Sequence, residues 1–177
     1  MLNYEVFWDS GSGATPRTLL TTTTNTVFEA STTLAIADLV DGKTYQFAVR
    51  AVNTIGESQY SSTTAIIAAT VPDQPEQPTV TTASSASVQI EWTEPGTGGS
   101  PIQFYHVYEA VGSSVTESDF VFVMNTGTTR SYSKSSGVTP GELYHFKVLA
   151  INLVGSSILS NPVSRLAAAV PNPPVNL

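Results

Sequence analysis

The chain has 177 residues, of which 41% are hydrophobic and only 12% are charged. Its net charge of −7 argues against binding to the nucleic-acid backbone, which requires clustered Lys and Arg. The chain contains no Cys, which excludes disulfides and thiolate metal sites, and its apolar runs are too short to cross a bilayer as a helix.

The first predicted element is a β-strand near the N-terminus. Tyr4, Val6 and Trp8 alternate with Glu5 and Phe7, which is the period of a strand with one face on a core. By the same alternation, Phe7 points away from that core. The β-branched residues of the run 21–24, all Thr, favour extended backbone as well.

A longer segment, residues 39–53, is repeated at residues 138–152. Identical residues lie 99 positions apart, among them Gly42 and Gly141, Tyr45 and Tyr144, and Asn53 and Asn152. A fixed period of this length indicates an array of modules. Gly42 and Gly141 follow Asp and Pro in turn signals, where a residue with positive φ is expected.

Each copy of the repeat contains a strand with a regular apolar face. One face carries four residues in each copy: Tyr45, Phe47, Val49 and Ala51 in the first, and Tyr144, Phe146, Val148 and Ala150 in the second. The second copy is preceded by a proline-rich stretch at 71–78 and by predicted strands at 79–83, at Val88–Trp92 and around Tyr105. No apolar stripe of helical period appears. Many short strands separated by turns, in a unit of about 100 residues, predict a β-sandwich.

This combination of residues resembles the fibronectin type III module. Trp92 matches the family's core tryptophan, and Tyr144 with Gly141 matches its tyrosine corner, as do Tyr45 and Gly42. The resemblance implies an all-β, immunoglobulin-like sandwich in tandem copies. It also implies structural roles for these five residues.

The phase of the repeat predicts the domain organisation. Residues 1–70 form a module that lacks strands A and B, residues 71–78 form a proline-rich linker, and residues 79–169 form a complete module. Residues 170–177 repeat the linker and open a further module. Two explanations stay open for the first module: the chain is a window of a longer array, or strands from another chain complete the sandwich.

Three aromatic residues are candidates for a contact surface. Phe7, Phe104 and Tyr108 fall on the outer face of their strands by alternation, and exposed aromatic side chains mark binding patches. The alternative is that they pack against a neighbouring module or against Lys and Arg stems.

The residues predict no catalytic constellation, no cofactor and no metal site. Only His106 and His145 could act as imidazole bases, and neither has a matching nucleophile or a complete ligand set around it. We therefore expect a non-enzymatic structural or adhesive segment of a repetitive protein in an extracellular fibre or surface array. Its expected partners are other copies of itself, neighbouring modules, or protein and glycan surfaces. The alternatives are spacer modules of a large secreted carbohydrate-active enzyme and an intracellular cytoskeletal or ciliary scaffold.

Overall fold

The computed structural model describes residues 3–26 and 39–168. The chain divides into two compact units, Met1–Ala69 and Thr70–Leu177, referred to below as the first and the second module. The predicted linker and further module at 170–177 lie outside the described residues. The proline-rich segment from Thr70 onward belongs to the second unit, so its described contacts are with that module.

The described part of the first module contains one antiparallel sheet of four strands. These are β1 (Asn3–Trp8), β2 (Thr18–Thr23), β3 (Thr44–Val52) and β4 (Thr64–Ile67), in the order β2-β1-β3-β4. Alternation puts Val6 and Trp8 on the inner face, and the Trp8 ring stacks on Tyr45 with 5.8 Å between ring centroids. Beside this stack, Val6, Phe47 and Val49 line an open cleft of about 300 Å³.

The second module is a sandwich of two antiparallel sheets. The strands are β5 (Thr79–Ala83), β6 (Val88–Glu91), β7 (Phe104–Val111), β8 (Val121–Asn125), β9 (Ser131–Lys134), β10 (Leu143–Ile151) and β11 (Val163–Leu166). One sheet has the order β11-β10-β7-β8 and the other β5-β6-β9. A short 3₁₀ helix, Glu117–Asp119, lies between β7 and β8. The described chain is otherwise all-β, which confirms the predicted fold class.

The core of the second module comes from the period-2 faces of its strands. Val88 and Ile90 of β6 face Val107 of β7 and Phe146 and Val148 of β10, and all five are fully buried. Trp92, which follows β6, is 6% exposed and packs edge-on against Tyr105 with 5.6 Å between ring centroids. Inward-facing aromatic and β-branched side chains therefore fill the space between the two sheets, as expected from the alternation.

Candidate contact surface

The candidate contact surface lies on the outer face of the sheet β11-β10-β7-β8 in the second module. Phe104, His106 and Tyr108 project from β7, and Phe122 of β8 lies opposite Tyr108. The Phe122 ring meets His106 and Tyr108 edge-on, at 4.9 and 5.9 Å between ring centroids. Phe104 is 42% exposed and Phe122 is 53% exposed, while Tyr108 is half-buried. These four residues, which we call the aromatic face, form a continuous patch of aromatic rings.

The aromatic face continues to a strand edge. β8 pairs with β7 on one side only, so in the described residues its other backbone edge is unpaired. Val121 and Met124 on this strand are 60% and 44% exposed, and β8 contains neither a charged residue nor a proline. Natural edge strands usually carry such residues to prevent pairing. β8 instead has a register shift against β7, an irregularity of the kind that twists an edge strand away from pairing.

The other half of the same sheet face is closed by the loop that contains the 3₁₀ helix. Lys147 of β10 is only 5% exposed, because its Nζ pairs with Glu117 Oε1 at 2.5 Å and lies 4.7 Å from the Phe120 ring centroid. His145 is held by Ser164 Oγ at Nδ1 and by the Gly112 carbonyl at Nε2, at 2.6 and 2.9 Å. The surface available to a partner is therefore the half that carries the aromatic face.

The exposure expected for Phe7 is wrong. Phe7 points outward from β1 but is only 6% exposed, because the Tyr60 ring lies edge-on at 5.1 Å and the Arg50 guanidinium covers it at 5.1 Å. Arg50 is fixed by ion pairs with Glu5 and Glu57. The hydrogen bond to Glu5 raises the pKa of Arg50 above its ordinary value, so the guanidinium stays charged. Alternation gave the face of Phe7 correctly, and its cover is the alternative named from the sequence, packing against an Arg stem, so only Phe104 and Tyr108 remain candidates.

Of the five structural residues named from the sequence, Trp92 lies in the core of the second module, and the other four lie at the two tyrosine corners. The hydroxyl of Tyr45 accepts a hydrogen bond from Val40 N at 3.0 Å, and that of Tyr144 accepts one from Thr139 N at 2.8 Å. Gly42 and Gly141 adopt φ of 78° and 87° in the turns that lead into the two tyrosine strands. Each corner thus satisfies a backbone donor close to the turn.

Sequence reasoning missed an ion pair between the two sheets of the second module. Glu109 of β7 and Lys134 of β9 are both largely shielded from solvent, and Glu109 Oε1 lies 3.0 Å from Lys134 Nζ. Lys134 Nζ also lies 5.5 Å from the Tyr144 ring centroid. Burial, together with the Glu109 charge, raises the pKa of Tyr132 above its ordinary value. The sequence did indicate that the Glu109 side chain points inward, because Glu109 continues the alternation of Tyr105 and Val107.

Within residues 3–26 and 39–168, no group of three His, Asp or Glu side chains could hold a metal ion. The described part of the chain also has no helix that is long and apolar enough to span a bilayer.

Comparison with known proteins gives a consistent result. The model of the family described as "Fibronectin type III domain" matches residues 1–67 and 73–165. Myomesin-2 of Homo sapiens is 33% identical over 129 residues, which is 70% of this chain and 9% of that protein. The Xenopus laevis protein named "Cell adhesion molecule-related/down-regulated by oncogenes" is 35% identical over 109 residues, which is 58% of this chain and 8% of that protein.

Among solved structures, domains A168–A170 of titin superpose with a TM-score of 0.62 at 24% identity, covering 92% of this chain and 54% of that one. This likeness concerns the fold alone. The chain spans less than a tenth of the length of either of the two relatives.

Proposed function

The chain belongs to the fibronectin type III family, and from this premise we propose that it is a non-enzymatic structural or adhesive segment of a repetitive multi-module protein. The observation that carries the proposal is the repetition itself. The same turn, tyrosine corner and strand recur after 99 residues, with closely similar hydrogen bonds in both modules. A repeated scaffold of this kind spans distance and displays surfaces. The adhesion-related name of one relative supports such a role.

We place the protein in an extracellular fibre or surface array. Its low charge and acidic balance favour this location, and the aromatic face supplies a surface for lateral contacts with copies of itself or with other protein or glycan surfaces. A patch of partly exposed aromatic rings is costly to leave in water and gains free energy when a partner covers it.

The contact role is tested by removing exposed rings without touching the core. Phe104→Ser combined with Phe122→Ser is expected to reduce self-association or adhesion to the native surface, measured by sedimentation and by binding to immobilised protein. Leu19→Ser is the matched control. Leu19 pairs with Phe7 in the first module as Phe122 pairs with Tyr108 in the second, and Leu19 is 51% exposed. Equal association of the double variant and the wild type would remove the aromatic face from the proposal.

The location needs a separate test. Antibody labelling of intact and permeabilised source cells, followed by electron microscopy of the native material, should show surface labelling and a fibre or array. Labelling that appears only after permeabilisation would contradict the extracellular assignment but would leave the contact role standing.

A further inference from the structure

The proline-rich segment at the start of the second module, residues 70–78, contains no strand residue. It is nevertheless attached to the module from its first residue. Thr70 N donates a hydrogen bond to the Gly98 carbonyl at 2.7 Å, and Asp73 N donates one to the Gly96 carbonyl at 2.9 Å. The incoming backbone is therefore held by the loop between β6 and β7 rather than by a sheet.

A buried side-chain amide holds the same backbone from a second side. Asn152 is 3% exposed, and its Nδ2 donates hydrogen bonds to the carbonyls of Thr70 and Thr97, at 2.7 and 2.9 Å. Its Oδ1 accepts hydrogen bonds from Val154 N and Gly155 N, at 2.8 and 3.1 Å. One amide group therefore shapes its own turn and joins the segment to the loop between β6 and β7.

The rest of the segment is held by two further amides and by its prolines. Gln74 Nε2 donates to the Leu159 carbonyl at 2.6 Å, and Gln77 Nε2 donates to the Pro162 carbonyl at 2.5 Å. Three prolines of the segment are buried: Pro72, Pro75 and Pro78. A proline has a fixed φ and loses little backbone freedom when it is ordered, so burial of these rings favours the seated conformation.

Two glycines of the loop between β6 and β7 leave the space that the segment occupies. A Cβ atom at Gly98 would lie 2.6 Å from the carbonyl oxygens of both Thr70 and Val71, and one at Gly96 would collide with the Asp73 carboxylate. Gly98 also has a φ of 63°, which side chains other than glycine rarely adopt. The loop is therefore shaped for close approach of this segment.

The contacts of the segment are separate from those that hold the two sheets together. The acceptors named above lie in two loops, one between β6 and β7 and one between β10 and β11. The core cluster of the described residues contains none of the three prolines. Segments outside the sheet ladders open locally, at a lower free energy than core strands do. The segment can therefore leave its seat while the sheets stay packed.

We propose that the proline-rich segment is a releasable spacer with two states. In the seated state, Asn152 and the glycine loop fix the point at which the chain enters the second module. In the released state, residues 70–78 form a free, extended spacer about 28 Å long at about 3.1 Å per residue, while both sheets keep their structure. The module thereby adjusts the length of its own N-terminal connection. The spacer goes beyond the proposed contact role and depends on neither the aromatic face nor the location, so its failure would leave both untouched.

The test is amide hydrogen exchange of the ¹⁵N-labelled full chain, followed by NMR at increasing low concentrations of denaturant. The amide protons of Thr70 and Asp73 should be protected but should exchange about tenfold or more faster than those of β6, β7 and β10. Their rates should also be independent of denaturant, which marks a local opening. Exchange of these two amides at the rate of the strands, or without any protection, would overturn the proposal.

Gly98→Ala removes the space for the segment. It should raise the exchange rates of Thr70 and Asp73 about tenfold, the scale of one lost hydrogen bond, and leave those of β7 and β10 unchanged. Gly127→Ala is the matched control, because Gly127 has a φ of 59° but a Cβ atom there meets no described atom within 4 Å. The control adds similar backbone strain without touching the segment and should leave Thr70 and Asp73 as in the wild type. Equal release by the two variants would overturn the proposal.

Asn152→Asp removes the amide that holds the segment. It keeps an oxygen that accepts from the two backbone amides of the turn, but it replaces the donating NH₂ with an oxygen that repels the Thr70 carbonyl. It should accelerate exchange at Thr70. Asn53→Asp makes the same change in the equivalent turn of the first module, where Oδ1 accepts in the same way, and should leave Thr70 unchanged. Loss of protection throughout β7 and β10 in Asn152→Asp would show that segment and sheets open together, which contradicts a separate spacer.

Discussion

The two modules share a scaffold but differ on the outer faces of their sheets. Glu5 of β1 lies opposite Arg50 of β3, whereas the equivalent positions of the second module hold His106 and Leu149. In the first module the ion pair places a guanidinium over Phe7 and buries it. Among the described residues of the second module, no side chain of that kind covers Phe104 and Phe122, which stay exposed.

Comparison of the two modules shows which positions are the same in both copies of the repeat. Ser61 Oγ accepts from Val49 N, and Ser160 Oγ accepts from Val148 N, both at 3.0 Å. Together with the tyrosine corners, these contacts satisfy backbone groups that the strands leave unpaired. The tyrosine and serine side chains that make these bonds are the same in both copies, while the outward positions of β1 and β7 have diverged.

The largest expected effect comes from the core of one module. Trp92→Ala should lower the free energy of unfolding of the second module by about 3–5 kcal/mol, because it removes a buried aromatic ring and leaves a cavity. Chemical denaturation followed by circular dichroism measures this. Trp8→Ala is the matched variant and should act on the first module alone. A neutral Trp92→Ala would remove this ring from the core of the module.

A smaller effect is expected from the tyrosine corners. Tyr144→Phe and Tyr45→Phe should each cost about 1 kcal/mol, the net contribution of a typical intramolecular hydrogen bond, because each removes the hydroxyl that accepts from the corner backbone. The chain has two Trp residues, Trp8 in the first module and Trp92 in the second. Fluorescence of variants that keep only one Trp therefore reports each module separately. Unequal losses in the two modules would show that the corners are not equivalent.

The cover of Phe7 can be removed without entering the core. Arg50→Ala should change stability less than Tyr144→Phe, because partly exposed ion pairs contribute little. It should nevertheless expose the rings of Phe7 and Tyr60, which Arg50 now covers, and raise the binding of a hydrophobic dye. Lys43→Ala is the control, since Lys43 lies over Tyr45 rather than over Phe7. Unchanged dye binding by Arg50→Ala would contradict the role of the guanidinium as a cover.

The smallest expected effect is a loss of stability of the first module at acidic pH. Burial opposes ionisation of Asp9, but backbone N–H groups of Gln46, Gly11 and Gly13 bond its carboxylate and hold its pKa below the ordinary value of 3.8. Because the folded pKa is the lower one, this stabilisation is complete above about pH 3.8 and is lost as the pH falls through the folded pKa.

Asp9→Asn keeps one acceptor oxygen and cannot titrate. The first module of this variant should therefore lose less stability between pH 4 and strongly acidic solution than that of the wild type. In the second module the position equivalent to Asp9 is Ala110. In that module, hydrogen bonds from Thr116 lower the pKa of Asp119 below its ordinary value. Asp119→Asn should change the acid response of that module alone. Identical acid profiles for Asp9→Asn and the wild type would rule out this contribution.

Much of the fold followed from period and alternation. Inward faces such as Tyr144, Phe146 and Val148 could be predicted because a strand has a period of two and each face has one environment. An Arg stem was one alternative for the cover of Phe7, but the residues that cover it could not be identified, since Arg50 lies on β3, Tyr60 lies between β3 and β4, and alternation describes one strand at a time. The Glu109–Lys134 pair was missed because an acidic residue at an inward position predicts no particular partner. The repeated Asn53 and Asn152 were visible in sequence, but the bonds of Asn152 to a segment 82 residues earlier were not.

The attachment of Thr70 to Asn152 and Gly98 has a mechanical consequence. When tension is applied to the chain from its N-terminal side, the first polar contacts of the second module that bear load are these hydrogen bonds rather than those of the sheets. The proline-rich segment would then peel away before any strand separates, and its buried prolines would be re-covered when the force falls. A module built in this way yields a reversible extension at low force and keeps its core for higher loads.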